Sequence, residues 1–151
     1  MFTNINSFLN EKIEFFHGSA KKLNIGTILV PQADGYVNET SEKWLEELFE
    51  KYRPLNKLSR LKSVFICDDI DEIEAAGGYL DYIYKVKPID IPEKSDLAWY
   101  TEVQLLPETD EYNIIKAIKN YWNGIQYHDI EMSVWEYRTS AAKIIKLIEE
   151  N

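Results

Sequence analysis

The order of strand-like and helix-like segments constrains the fold of this chain more than any other feature. Helical spacing of apolar residues predicts one helix that begins after Thr40 or Ser41 and ends at Pro54. A second helix is predicted from about Thr109 to Gly124. Short apolar runs predict strands at residues 13–16, 27–30, 62–67, 79–86, 132–138 and 141–148. Because these segments follow no strict β-α-β order, we expect an α+β fold.

The remaining segments predict short helices and loops. A helix is expected after the third strand, with Asp68 or Asp69 as its N-cap and Gly77-Gly78 at its end. One helical turn is predicted at residues 19–23. Residues 31–40 and 95–100 are predicted as loops, and the aromatic side chains of the second loop are expected to be exposed.

Composition limits the class of protein. The chain has 151 residues, of which 45% are hydrophobic and 13% aromatic, so we expect a single domain over residues 1–151 with a packed core. The net charge of −9 disfavours nucleic acid as a partner, because the average surface repels phosphates. A local basic patch at Arg53, Lys57, Arg60 and Lys62 could still hold a pyrophosphate.

Few side chains suit a metal or a disulfide. Cys67 is the only cysteine, which excludes an intrachain disulfide and a thiolate zinc site. His17 and His128 are the only histidines, so no metal cofactor is expected. The polar N-terminal segment and the lack of a long apolar run predict a soluble, cytoplasmic protein without a membrane span.

The first candidate binding segment is His17-Gly18-Ser19, which follows the first predicted strand. A glycine at a strand edge lets a planar amide approach its backbone N–H and C=O. The neighbouring imidazole can bind a ribose hydroxyl without carrying charge, and Ser19 adds a second hydroxyl. The alternative interpretation is a surface turn after a strand.

The second candidate segment contains Phe65 and Tyr79, two aromatic residues separated by the short predicted helix. They could return to one cleft and enclose a flat heteroaromatic ring, and a positively charged nicotinamide would gain from their π faces. The alternative is that both are ordinary core residues.

The third candidate segment contains Glu136, which lies inside a predicted strand. A carboxylate there is costly unless a partner compensates for it. Beneath a ribose, it could hold the 2′-hydroxyl and stabilise the oxocarbenium charge that develops as nicotinamide leaves. The alternative is an edge-strand glutamate that faces water. Glu131 precedes the strand and is expected to be solvated.

Together the three segments resemble the ADP-ribosyltransferase fold of the diphtheria-toxin and PARP type, which carries a His-Tyr-Glu triad on a split β core. The resemblance covers residues 14–30, 62–88 and 130–148 and is closest in the middle block. It implies an α+β fold with a split antiparallel β core and peripheral helices. The small, acidic, Lys-, Ile- and Asn-rich chain favours a stand-alone bacterial or bacteriophage effector.

The resemblance also implies a role for each matching residue. His17 would bind ribose hydroxyls, and Gly18 would bind the carboxamide of nicotinamide. Phe65 and Tyr79 would stack on the nicotinamide ring, and Glu136 would be the catalytic glutamate. This sequence departs from the family pattern in three ways. Phe65 stands where tyrosine is usual, and an extra glycine precedes Tyr79. Val134 lies two residues before Glu136, so the Glu-x-Glu pair of the arginine-modifying branch is absent.

The function implied by the resemblance is NAD-dependent mono-ADP-ribosyl transfer to a protein target, with NAD as co-substrate. Hydrolysis of NAD without a protein acceptor is a further possibility that the residues do not separate from transfer. The alternative, from another functional class, is a catalytically silent domain of the same fold that binds a protein or a nucleotide and inhibits a host or defence complex.

Overall fold

A computed structural model of the protein describes residues 13–32 and 42–151. Within these residues the chain forms seven strands and three α-helices, which confirms the α+β prediction. The strands are β1 (Phe15–Ser19), β2 (Ile28–Leu29), β3 (Val64–Ile66), β4 (Tyr82–Pro88), β5 (Glu93–Asp96), β6 (Trp135–Thr139) and β7 (Ala142–Glu150). The helices are α1 (Lys43–Lys51), α2 (Ala98–Leu105) and α3 (Glu111–Trp122). Short 3-10 helices lie at Arg60–Lys62, Ile70–Glu72 and Ile130–Met132.

The strands form two curled antiparallel sheets. The first sheet has the order β1-β4-β7-β2, and the second has the order β3-β6-β5. An isolated antiparallel bridge between Phe16 and Cys67 joins β1 to the end of β3. The Phe16 N–H donates to the Cys67 carbonyl at 2.7 Å, and the Cys67 N–H donates to the Phe16 carbonyl at 2.9 Å. The ladder does not continue beyond this pair, so the two sheets part at Gly18 and Phe65.

Apolar side chains pack in three groups. The largest group lies among the helices, where α1, α2 and α3 bury aromatic and aliphatic residues against one another; its members include Leu45, Phe49, Trp99, Tyr100, Val103, Ile118, Tyr121 and Trp122. Side chains on the two opposite faces of β1 belong to the other two groups. Phe15 packs with Val64, Ile66 and Tyr84, whereas Phe16 packs with Cys67, Ile73 and Ile83. The alternation of side chains along a strand therefore places β1 between two cores.

The long helices lie close to their predicted positions. Asp110 caps α3 by accepting a hydrogen bond from the Asn113 N–H, and Gly124 follows the helix end with a φ of +68°. Glu42 occupies the N-cap of α1 without a side-chain hydrogen bond. The predicted caps Thr40 and Ser41 lie outside the described residues, as does most of the loop predicted at residues 31–40.

The loop predicted at residues 95–100 is wrong. Ser95 and Asp96 belong to β5, and α2 begins directly afterwards at Ala98. The Asp96 carboxylate accepts a hydrogen bond from the Ala98 N–H at 3.0 Å and so supports the first turn of this helix. Trp99 and Tyr100 are only 7% and 8% exposed. The polar residues Ser95 and Asp96 are themselves buried and hydrogen-bonded.

Two shorter predictions also need correction. The first strand continues through Ser19, because residues 17–19 pair with residues 82–84 of β4, so no helical turn begins at Ser19. After β3, Asp69 caps the chain as predicted, but only the 3-10 helix Ile70–Glu72 and a series of turns follow. The predicted strand from Tyr79 begins instead at Tyr82.

Candidate functional site

A cavity of about 410 Å³ opens where the two sheets part. A volume of this size is typical of small-molecule sites. The cavity brings together the candidate residues of all three sequence segments, which are His17, Gly18, Ser19, Phe65, Tyr79 and Glu136. We call the side formed by β1 and residues 76–79 the wall, and the side formed by Glu136 and its buried partners the floor.

Gly18 presents its backbone to the gap between the sheets. Phe16 exchanges two backbone hydrogen bonds with Cys67. Because backbone groups in a strand alternate in direction, the N–H and C=O of Gly18, two residues later, point to the same side of β1 as those of Phe16. The ladder has ended at that point, so these groups face the cavity. A Cβ at this position would lie 1.9 Å from the Tyr79 carbonyl oxygen. Glycine is therefore required here because the backbone of Tyr79 packs directly against it.

The ring of His17 is held by the neighbouring strand. Its Nδ1 lies 3.0 Å from the Phe65 carbonyl oxygen. Because a carbonyl oxygen can only accept a hydrogen bond, Nδ1 must carry the proton and donate it. Burial lowers the pKa of His17 from its usual value of 6.5, although the hydrogen bond to Phe65 opposes this shift. The ring is therefore neutral at physiological pH, and its Nε2 is an acceptor for a hydroxyl group.

Ser19 uses its hydroxyl within the chain. The Oγ donates to the Lys21 carbonyl at 2.8 Å and accepts from the Lys21 N–H at 3.1 Å, so it fixes the turn after β1. This turn places Lys21 on the rim of the cavity. Lys21 is exposed and adds a positive charge beside the neutral wall.

The two candidate aromatic residues differ in their surroundings. Phe65 is half-buried, and the Arg60 guanidinium lies over its ring at 5.0 Å from the centroid. Tyr79 is 53% exposed and precedes β4. The interpretation of both as ordinary core residues therefore fails for Tyr79, whose ring is available at the cavity.

Glu136 lies on the central strand of the second sheet and is only 2% exposed. The interpretation as an edge-strand glutamate that faces water is therefore wrong. Its Oε2 accepts hydrogen bonds from Arg60 Nη1 and from the Tyr121 hydroxyl. Glu131 is exposed, as expected. Compensation by these two donors explains why the strand tolerates a buried carboxylate.

Arg60 connects Glu136 to helix α1. Its Nε donates to Glu46 Oε2 at 2.9 Å, and its Nη2 donates to Glu46 Oε1 at 3.2 Å. Burial alone would lower the pKa of Arg60, but attraction by Glu136, Tyr121 and Glu46 raises this pKa well above its usual value. Arg60 is 3% exposed, so it cannot contribute to the exposed basic patch that the sequence suggested.

A second buried arginine continues this charged layer. Arg138 Nη1 donates to Ser95 Oγ at 2.7 Å and to the Tyr121 hydroxyl at 3.1 Å, and its Nη2 donates to Glu93 at 3.2 Å. Within the described part of the chain, Arg138 Nε has no hydrogen-bond partner. Among the described residues, the floor thus contains two guanidinium groups and the three carboxylates of Glu46, Glu93 and Glu136. At their formal charges, these five groups together are net negative.

The hydroxyl and thiol groups near the floor are protonated at physiological pH. Burial is the main cause of the raised pKa of the Tyr121 hydroxyl, and attraction by Arg60 opposes it in part. Burial also raises the pKa of the Cys67 thiol to about 12, and nearby Glu136 adds to this effect. Cys67 is therefore a buried residue and a poor nucleophile.

A second cavity of about 380 Å³ lies beside Lys57, Asp90, Glu93 and Arg138. Its carboxylates are already engaged: Asp90 accepts from Ser140 and Thr139, and Glu93 accepts from the Leu58 N–H at 3.0 Å. These groups stabilise loops of the chain. The first cavity is therefore the better candidate for a ligand.

Glu46 and Tyr121 of the floor were not predicted as site residues, and Arg60 was predicted only as part of a basic patch for a pyrophosphate. Tyr121 lies on the second predicted helix, and its ring is fully buried. Arg60 and Glu136 are 76 positions apart, and no motif links them. The one available signal was the buried carboxylate itself, since a charge within a strand requires a partner.

No protein-family model matches the chain, and no curated protein sequence matches it. The ADP-ribosyltransferase resemblance therefore remains a prediction. In residues 13–32 and 42–151 we find no helix with the length and apolar character needed to span a membrane. The same residues contain no cluster of three or more His, Cys, Asp or Glu side chains arranged to hold a metal ion.

Proposed function

We propose that the protein binds NAD in the first cavity and cleaves its nicotinamide–ribose bond, transferring ADP-ribose to a protein. The observation that supports this proposal is that one cavity is lined both by the neutral wall, with its exposed backbone groups, and by a buried carboxylate. Both halves are needed, because the wall can orient a nicotinamide riboside group while the carboxylate stabilises positive charge on the ribose.

The wall offers complementary groups for the nicotinamide end of NAD. The Gly18 N–H and C=O match the acceptor and donor of a planar carboxamide. Phe65 and Tyr79 supply aromatic surface at the same cavity for the pyridinium ring. The neutral His17 ring supplies an acceptor at Nε2 for a ribose hydroxyl. Lys21 at the rim suits the pyrophosphate by charge.

The floor supports the bond cleavage itself. When the bond between C1′ and the pyridinium nitrogen breaks, its electron pair leaves with nicotinamide and the ribose becomes an oxocarbenium ion. Glu136 would stabilise that ion by its negative charge. A nucleophile on the target then bonds to C1′ and loses its proton. The acidic chain, with a net charge of −9, favours a target with a basic surface.

The test is nicotinamide release from NAD, measured by chromatography, with and without cell lysate. We expect release by the wild type and a loss of about 10²–10³-fold in Glu136→Gln, because one preorganised electrostatic group is removed. Glu131→Gln is the matched control, since it makes the same change at an exposed position. Dependence on lysate would indicate transfer to a target. Equal release by wild type and Glu136→Gln would refute the assigned role.

The second candidate is a catalytically silent domain that binds a nucleotide or protein and inhibits a partner complex. It is favoured by one observation: Arg60 and Tyr121 already hold Glu136, which would weaken its attraction for a cation. This candidate predicts that NAD raises the thermal melting temperature of the wild type while no nicotinamide is released. Absence of both effects would exclude NAD from either role.

A further inference from the structure

We propose that Glu46 of helix α1 is a positioning residue that neutralises Arg60 and so preserves the negative charge of Glu136 at the cavity floor. This inference rests on the proposed function and concerns a residue outside the three sequence segments that suggested it. It arises from one feature of the floor: a single guanidinium is shared between two carboxylates.

Glu46 is well placed for this role. It is 4% exposed and binds two nitrogens of Arg60 through both of its oxygens. The Tyr100 hydroxyl donates to Glu46 Oε1 at 3.1 Å and holds the carboxylate from the other side. Paired hydrogen bonds of this kind fix both distance and orientation. Arg60 therefore directs its Nε and Nη2 to Glu46 and its Nη1 to Glu136.

The charge balance explains why a second carboxylate is present. A guanidinium paired with Glu136 alone would cancel the negative charge that a ribose cation must meet. With Glu46 also bound, the three groups together carry a net negative charge. The field is strong at the floor because the surroundings are buried and water screens it little.

The hydrogen bonds also leave one oxygen of Glu136 for a ligand. Both donors, Arg60 Nη1 and the Tyr121 hydroxyl, bind Oε2. No described residue donates a hydrogen bond to Oε1, and Glu136 lines the cavity. Held at Oε2 from below, the carboxylate can accept a ribose hydroxyl at Oε1 without breaking an existing hydrogen bond.

The test is steady-state nicotinamide release by Glu46→Gln, which retains the shape of the side chain and removes its charge. We expect kcat to fall about tenfold or more with little change in KM, since only charge stabilisation in the transition state is lost. Glu50→Gln is the matched control. It makes the same change one turn along α1, where the carboxylate binds Ser59, Arg53 and the backbone N–H of Arg60, whereas Glu46 binds the Arg60 guanidinium.

A double variant distinguishes an effect of charge on kcat from an effect of structural damage. Arg60→Gln combined with Glu46→Gln removes the opposing charges together, so Glu136 again dominates the floor. We expect its kcat to exceed that of Glu46→Gln, whereas a merely structural role would make the double variant the poorer enzyme. If Glu46→Gln does not fold, the double variant alone still tests the inference. Its release is expected to exceed that of Glu136→Gln, and release no greater than that would overturn the inference.

The outcomes distinguish this inference from the proposed function. Unchanged kcat in Glu46→Gln, with an active wild type, would overturn the role of Glu46 and leave NAD cleavage intact. No release by the wild type would refute the proposed function, and the role of Glu46 would fail with it. A similar loss of kcat in Glu46→Gln and Glu50→Gln would indicate general damage to α1 and would also overturn the inference.

Discussion

The wall and the floor of the cavity consist of different kinds of chemical group. The wall consists of the Gly18 backbone, a neutral His17 ring and the half-exposed Tyr79. The floor consists of fully buried guanidinium and carboxylate groups, represented by Arg60 and Glu136. The wall therefore offers shape and hydrogen bonds, whereas the floor offers charge. Under the proposed function, binding and bond cleavage would therefore depend on separate groups, which substitutions can test separately.

The largest expected effect concerns the stability of the floor. Arg60→Met leaves the buried carboxylates of Glu46 and Glu136 without their cation. Loss of one partner from a buried ion pair destabilises a protein by about 3–5 kcal/mol, so we expect a decrease of that order in the free energy of unfolding. Urea denaturation measures it.

Lys85→Met is the control for this prediction. Lys85 pairs with Glu14 at 3.1 Å, but their side chains are 38% and 59% exposed, and ion pairs in contact with solvent contribute about 0–1 kcal/mol. If Arg60→Met destabilised the protein no more than Lys85→Met, the floor would not be a buried charge network.

A smaller effect is expected at the wall. In Gly18→Ala the added Cβ would overlap the Tyr79 carbonyl, which must shift or force β1 to move. Such overpacking costs about 1–3 kcal/mol, and the shift would also weaken NAD binding by moving Tyr79. Denaturation and calorimetric titration with NAD measure the two effects.

Gly26→Ala separates backbone strain from contact with the cavity. Gly26 has a φ of +91° and open space around its missing Cβ, so alanine there introduces strain without a clash. We expect Gly26→Ala to destabilise the fold and to bind NAD like the wild type. Equal NAD affinity in Gly18→Ala and the wild type would show that Gly18 does not form the binding wall.

The smallest expected effect is the pH dependence caused by His17. Because burial lowers the pKa of His17 below 6.5, the unfolded chain takes up this proton before the folded protein does. His17 thus contributes full stability above pH 6.5, and this contribution is lost as the pH falls through the lower folded-state pKa. NAD affinity should fall over the same range, because protonation turns the Nε2 acceptor into a donor.

Urea denaturation of wild type and His17→Gln, at about pH 7.5 and about pH 5.5, measures the contribution of His17. We expect a smaller loss of stability on acidification in His17→Gln. His128→Gln is the matched control, because it removes the other histidine, which is exposed, and leaves His17 in place. The same slope in all three proteins would contradict the prediction.

The fold was predictable wherever local spacing determined it. The helix over residues 111–122 and the strands around Phe65 and Ile144 follow from apolar periodicity and capping residues. Helix α2 was missed because its preceding residues, Ser95 and Asp96, are polar but buried, and no local rule shows that a polar segment pairs with a distant strand. The join between the sheets at Phe16 and Cys67 is likewise a long-range contact.

The same distinction applies to the candidate site. The wall was suggested by the consecutive residues His17, Gly18 and Ser19, but the sequence predicted a helical turn from Ser19, and only pairing with the distant strand β4 extends β1 through these residues. The floor depends on contacts across 14, 61 and 76 positions, from Arg60 to Glu46, Tyr121 and Glu136. One sequence shows that Glu136 needs a partner, but tertiary packing decides which of the basic residues is buried beside it.

The most direct test of this account is a saturation-transfer NMR experiment with NAD and the wild-type protein. We predict that saturation passes most strongly to the nicotinamide protons, because the aromatic residues Phe65 and Tyr79 line the cavity with Gly18. Glu136→Gln should retain the effect, since it alters the floor and leaves the wall intact. Transfer confined to the adenine protons, or no transfer at all, would contradict the assignment of this cavity to the nicotinamide end of NAD.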